Sequence, residues 1–271
     1  MLDLFVHNRI AGLLQLILLL SVCITIEHIS PIERYSLRAR LPGVAMHFAG
    51  AGVGIVLSYP VHLLWRSIDV PFISLPLGTA AQIVVLLLIG DFLSYWRHRA
   101  EHRWFWPIHA VHHAPTELHA ANDLGHPLQF IPQFLFVSIP LSFLGVQNVA
   151  VPFAAGMIFS FLEVYIHSPI DVHFGPLRRI VVDNRFHRLH HSLESQHIDT
   201  NFGICFSVWD AIFGTAVWPK KDEWPLVGVA GLPAPRSVRD FLLLPLRIAR
   251  KDYAGPGLES SNSQLPVPAI E

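Results

Sequence analysis

Residues Asp91 to His113 read DFLSYWRHRAEHRWFWPIHAVHH. The histidines here are His98, His102, His109, His112 and His113, and on an α-helix residues three and four apart lie on one face. Two short imidazole faces are therefore expected, and Pro107 between them lets a second helix begin in a changed direction. A third cluster, His187, His190 and His191, repeats the second spacing more than seventy residues later. Histidine is the commonest metal ligand among side chains, so these eight residues point to a metal site.

Eight imidazoles exceed what one ion uses, since a zinc ion takes about four ligands. Two metal ions are the economical reading. His167, His173 and, between them, Asp171 are additional candidates. Nitrogen-rich ligation without thiolate suits iron, zinc or copper alike. Cys23 and Cys205 form no CxxC pair, which argues against a zinc ribbon, a thioredoxin motif or a disulfide framework.

Working outward, the clusters lie in an apolar chain. Apolar residues make up 52% of the 271 residues and charged residues 14%, against about 25% charge in soluble domains. The net charge of -1 provides no basic surface for nucleic acid. A spanning helix needs about 20 apolar residues, and the runs that approach this are Ile10 to Ile26, Val44 to Leu64, Phe72 to Tyr95, Phe130 to Leu144 and Val149 to Ile166. The last two are short and nearly contiguous, as expected of a helical hairpin that enters the membrane and returns. The first run is read as a retained helix, because no small-residue cleavage site follows it.

Basic residues are retained preferentially on the cytoplasmic side. Arg34, Arg38 and Arg40 place the segment after the first run there, and Arg66 with Asp69 places the next loop outside. The third run then exits into Arg97, Arg99 and Arg103 on the cytoplasmic side, and the hairpin returns the third cluster to the first two. The amino terminus would lie outside. Four parts are expected: membrane helices over 1–90, a histidine-rich catalytic region over 91–219, an amphiphilic segment over 220–253, and a disordered tail over 254–271, rich in Gly, Ser and Pro.

Other residues have plainer readings. His7, His28, His47, His62 and His197 are taken as core or surface histidines, and His119 and His126 as intermediate cases close to the second cluster. Arg97, Arg99 and Arg103 are expected in solvent or at lipid headgroups, and Trp96, Trp104 and Trp106 in an interfacial aromatic belt.

The stretch Asp91 to His113, with FGPLRR, FHRLHHS, NFG and WDAIFGT between Phe174 and Thr215, resembles the fatty acid hydroxylase and sterol desaturase family of membrane di-iron oxygenases. The resemblance spans roughly Asp91 to Pro219. It implies an all-α fold: a multi-pass transmembrane bundle of about four or five helices, with a cytosolic helical cap holding a dinuclear iron site. The ligands carried over are His98, His102, His109, His112, His113, His187, His190 and His191, with His167 matching the histidine that ends the hairpin. Pro169 stands where many relatives have Asn, and Gln129 where some have an acidic residue, so the tenth ligand is unassigned, with Asp171 and His173 as candidates.

The implied chemistry is O2-dependent hydroxylation or desaturation of a lipid such as a sterol or fatty acyl chain, with no catalytic residue beyond the ligands. No haem, flavin or iron-sulfur motif is present in the sequence, so a separate electron-donor protein is implied. The setting is a bacterial inner membrane, or the ER membrane in a eukaryote. Two alternatives come from other classes. A membrane zinc hydrolase would use Glu101 of HRAEH as its base, and a metal-binding scaffold would keep the fold without catalysis.

Overall fold

The computed structural model describes residues 2–66, 73–146 and 148–250. Asp69 and the tail 254–271 lie outside the described residues, as do the side chains of His7 and His62. Among the described residues, three helices are long and apolar enough to cross a membrane: α1 (Leu2–Ile29), α2 (Leu37–Arg66) and α3 (Thr79–Trp104). The third starts later than its apolar run and continues through the first histidine cluster. At 26 residues it is about 39 Å long, more than a hydrocarbon core of about 30 Å, so its last turns extend beyond that core.

Phe105 breaks the helix, and α4 (Trp106–His113) begins with Pro107 in its first turn, where a missing N–H costs nothing. The remaining apolar runs form α5 (Pro127–Ser142, with a π-helical segment at Phe134–Ser138) and α6 (Ala150–Ile166). Both are short for a full crossing, so the bundle has three long helices and a short hairpin. Two-residue strands, Ile73–Ser74 and Leu144–Gly145, pair in parallel and tie the hairpin turn to the segment entering α3.

The cap follows. Helix α7 (Asn184–His190) carries the third cluster, and its N-cap Asp183 accepts the Phe186 N–H at 3.0 Å. Helix α8 (Val208–Phe213) ends at Gly214. Helix α9 (Val238–Ala249) buries Phe241, Leu244, Pro245 and Ile248, the apolar stripe of an amphipathic helix, in a core with Met46, Ala110 and Val111. Leu14, Leu18, Leu41, Val56 and Val84 are exposed on the membrane helices while histidines and carboxylates are buried, which suits a lipid surround.

Two buried carboxylates organise the cap, and the first of them joins it to the bundle. Asp91, in α3, accepts the N–H groups of Cys205 and Phe206 at 2.8 Å and the Trp209 indole N–H at 3.0 Å. Asp210 accepts the N–H groups of Phe202 and Gly203 at 2.8 Å and the Thr215 hydroxyl at 2.7 Å. The Trp, Asp and Thr of WDAIFGT thus shape the loop 202–206 beneath the third cluster.

Gly43 allows α2 to approach the loop after α4. A Cβ there would lie 2.0 Å from the Ala121 carbonyl oxygen, a backbone atom that cannot swing aside. Gly43→Ala is expected to destabilise the protein by about 2 kcal/mol or more, read as a lowered melting temperature in detergent; an unchanged melting temperature would contradict this packing.

Candidate metal centre

The ends of α3, α4, α6 and α7 converge on two groups of histidines. His98, His102, His109, His113 and His190 form the first, and His112, His167, His187 and His191 the second. Within each group one ring nitrogen per residue lies within 4.8 Å of the others. The groups are neighbours: the rings of His113 and His191 stack with centroids 4.4 Å apart. Helical spacing alternates the assignment, so that adjacent His112 and His113, and adjacent His190 and His191, serve opposite groups.

Hydrogen bonds fix which nitrogen faces inward. A carbonyl oxygen only accepts, so Nδ1 must donate where His98 meets Phe202 O at 2.9 Å, His112 meets Leu124 O at 3.1 Å, and His190 meets Thr200 O at 2.6 Å. His167 does the same to Glu163 O at 2.6 Å. His102 donates to Asp199 Oδ1 at 2.9 Å, and His109 faces Glu101 Oε2 at 3.1 Å. Six rings thus hold their proton on Nδ1 and turn the Nε2 lone pair into the site, the usual outer support of a metal-binding histidine. His109 Nδ1 also lies 2.9 Å from Gln129 Nε2. Two donors cannot face each other, so the Gln129 amide is turned to present its otherwise unpartnered Oε1.

The inward nitrogens are too close for free rings. His98 and His109 Nε2 are 3.0 Å apart, and His112 and His167 Nε2 are 3.2 Å apart, with no proton left for either gap. The series continues at 3.1 Å for His109 to His113 and 3.0 Å for His167 to His187. Facing lone pairs repel, and a cation between them removes the repulsion. Donors about 2.1 Å from one ion sit about 3.0 Å apart at right angles and about 3.4 Å apart at tetrahedral angles. The observed spacings of 3.0–3.2 Å fall in this range, so the residues fit a cation held among each group. Burial pulls the His109 imidazole down to about 4 and holds His112, His113, His187, His190 and His191 well below the usual range. Neutral rings have free lone pairs for a metal.

Asp171 and His173 do not join either group. They are exposed and face each other at 4.0 Å, and Asp171 also pairs with Arg185, because the chain turns away after Pro169. His119 is buried beside Asn122, and His126 caps a short turn by accepting the Leu128 N–H; neither reaches the site. Arg97 is not in solvent: it is buried and donates to both Glu101 oxygens at 2.7 and 2.9 Å. Glu101, held between Arg97 and His109, is not free to act as the base that a zinc hydrolase requires. Trp96 and Trp104 are exposed, whereas Trp106 packs on the rings of His102 and His113.

Sequence reasoning missed the supporting residues. Asp199 and the carbonyls of Thr200 and Phe202 come from one loop, and only NFG within it carried a signal. Asp123 is buried against His167, Oδ1 to Nδ1 at 3.3 Å, and burial pushes its carboxyl up to about 7. The Asp199 side chain is largely exposed, so Asp199→Ala should leave the fold intact apart from a cost of about 1 kcal/mol for placing Ala at a φ of 56°. It is expected to weaken metal binding at the first group about 10- to 100-fold, measured by competition with a chelator; unchanged affinity would refute the supporting role.

A cavity of about 700 Å³ ends on His98, His109, His112, His167 and His187. Its walls include Gly12 and Gln15 of α1, His47, Gly50 and Gly54 of α2, Gln133 of α5, and Ser160 and Glu163 of α6. A second, of about 390 Å³, reaches His102 between Trp96, Arg99, Arg103, Trp104 and Phe202.

The family model described as fatty acid hydroxylase matches residues 83–215, which contain every histidine of both groups. Among similar proteins, an ornithine lipid hydroxylase of Rhizobium tropici is 30% identical over 65% of this chain and 54% of its own length. An alkylglycerol monooxygenase of Caenorhabditis elegans is 27% identical over 67% of this chain and 35% of its own. A very-long-chain aldehyde decarbonylase of Oryza sativa is 30% identical over 51% and 24%. The chain thus spans about half, or less, of the curated relatives it matches, and no solved structure matches it. With the family model covering both histidine groups and the loop that supports them, the chain belongs to the fatty acid hydroxylase family.

Proposed function

We propose that the protein is a membrane-bound di-iron oxygenase that hydroxylates or desaturates a lipid, using O2 and electrons from a separate donor protein. The observation that carries this reading is the pair of histidine groups, with unprotonated Nε2 atoms facing one another, at the inner end of a cavity that extends between the membrane helices. His98, His102, His109, His113 and His190 would hold one iron, and His112, His167, His187 and His191 the other. Bound iron supplies activation of O2 and removal of hydrogen from an unactivated C–H bond.

The chain's own part is placement. The lipid enters the cavity from the side of α1, α2 and α6, and the fixed imidazoles leave little freedom in where its reacting carbon stops. Gln15, His47, Gln133, Ser160 and Glu163 on the wall would be costly in a bilayer without partners, and they favour a substrate with a polar group near the reacting carbon. The ornithine lipid and alkylglycerol named for two relatives are lipids of that kind. The second cavity offers a separate donor protein a route to His102 that leaves the first free for lipid. The metal ends of the helices would face the cytoplasm, as the arginines around them favour.

The test is reconstitution with lipid extract and a reductant under labelled O2, with mass spectrometry for a gain of one oxygen or a loss of two hydrogens. No O2-dependent change in any lipid would overturn the proposal. The cavity gives a companion test. A Cβ built on Gly50 or Gly54 meets nothing within 4 Å, so a larger side chain fits without a clash and occupies the cavity instead. Gly50→Leu is expected to keep its metal and lose activity tenfold or more, since the added volume displaces lipid at a step where about 1.4 kcal/mol is tenfold. Full activity would mean that lipid does not use this cavity.

A further inference from the structure

Away from the two histidine groups, Glu194, His197 and Glu223 each bring one ligand atom to within 4.8 Å of the others. His197 is 3% exposed, and its Nδ1 is buried without a hydrogen-bond partner. That nitrogen faces Glu194 Oε2 at 4.0 Å. The gap is too long for a hydrogen bond. An ion bound at about 2.1 Å to each donor would draw the three ligand atoms, now within 4.8 Å of one another, to separations of about 3.0–3.4 Å.

The carboxylates are undercompensated. Oε2 of Glu194 accepts from the Gln196 side-chain amide and Oε2 of Glu223 from the Lys220 N–H at 2.7 Å, both neutral donors. Among the described residues, neither Oε1 accepts a hydrogen bond, and no lysine or arginine forms an ion pair with either glutamate. Two negative groups converging on a buried, unpartnered nitrogen form a site for a cation.

We propose that Glu194, His197 and Glu223 form a third divalent-cation site, distinct from the histidine groups, binding a first-row ion such as Mn2+ through one imidazole nitrogen and two carboxylate oxygens. Mixed nitrogen and carboxylate donors suit such ions, and water completes the shell on the exposed side. The placement gives the site a consequence. Glu194 and His197 begin the loop whose Asp199, Thr200 and Phe202 hold the rings of His102, His190 and His98. Glu223 lies on the segment whose Val227 bridges to Ser192. An ion here clamps the loop to that segment and steadies three rings of the first group.

The experiment uses the full chain with its own metals in place, dialysed to equilibrium against a series of Mn2+ concentrations, with all bound metals counted per chain by elemental analysis. The wild type is compared with Glu194→Gln/Glu223→Gln, which keeps the shape of both side chains and removes both charges. The wild type should hold one more ion than the variant, with Mn2+ affinity at least tenfold higher, and Mn2+ should raise the melting temperature of the wild type alone. Glu223→Gln, which leaves the loop sequence untouched, should give the same loss. Equal metal counts with equal response to Mn2+ in wild type and variants would overturn the site, whatever the lipid activity proves to be.

Discussion

His112→Ala should reduce lipid oxidation by two orders of magnitude or more and lower bound metal from two ions to one per chain. An outer hydrogen bond to a metal ligand is already worth about 10- to 100-fold, and a direct ligand has no substitute in a group of four histidines. The partition is specific. His112 stands with His167, His187 and His191, so the first group should keep its ion, although His113, the next residue, belongs to it. His190→Ala should show the converse. His119→Ala is the control, because His119 is fully buried close by but lies in neither group. Elemental analysis and product formation measured on the same samples decide the matter; parent-rate oxidation by His112→Ala would remove that residue from the metal centre.

Asp91→Ala should be the most destabilising single change outside the metal groups. It leaves the Cys205 and Phe206 amides and the Trp209 indole as buried donors without their acceptor. An unsatisfied buried donor costs about 1–3 kcal/mol, so roughly 3–5 kcal/mol in total is expected, allowing for partial relaxation. At about 2–4 °C per kcal/mol for a chain of this size, the melting temperature in detergent should fall by roughly 10 °C. Metal should be lost with it, because the loop 202–206 carries the Phe202 carbonyl that orients His98. A melting temperature within a degree or two of wild type would show that cap and bundle are joined by something other than this carboxylate.

Much of the architecture is legible in particular residues. Long apolar runs locate the three spanning helices, and the short pair 130–144 and 149–166 is legible as a hairpin because neither length suffices to cross. The spacing of the histidines places them on helix faces, and all nine of the principal candidates fall into the two groups. Other features were not legible, for identifiable reasons. Arg97 beside two other arginines looks solvated, yet Glu101 one turn later draws it inside. Asp171 and His173, near His167 in sequence, point outward because the chain leaves the site at Pro169. Trp106 resembles its exposed neighbours Trp96 and Trp104 until the break at Phe105 turns it against His102 and His113.

Composition and spacing alone were enough to locate the apolar runs, to mark the pair 130–144 and 149–166 as a hairpin, and to put the imidazoles on helix faces in a pattern suited to a metal. These depend on composition and on a periodicity of 3.6 residues, which are local properties of the chain. Only the tertiary structure decided how the imidazoles divide between the groups, which ring nitrogen each turns inward, and which acids and carbonyls hold them. Those choices are made by contacts across long separations, such as His98 with Phe202 and Asp91 with Cys205. A buried donor or acceptor must find its partner wherever the fold supplies one.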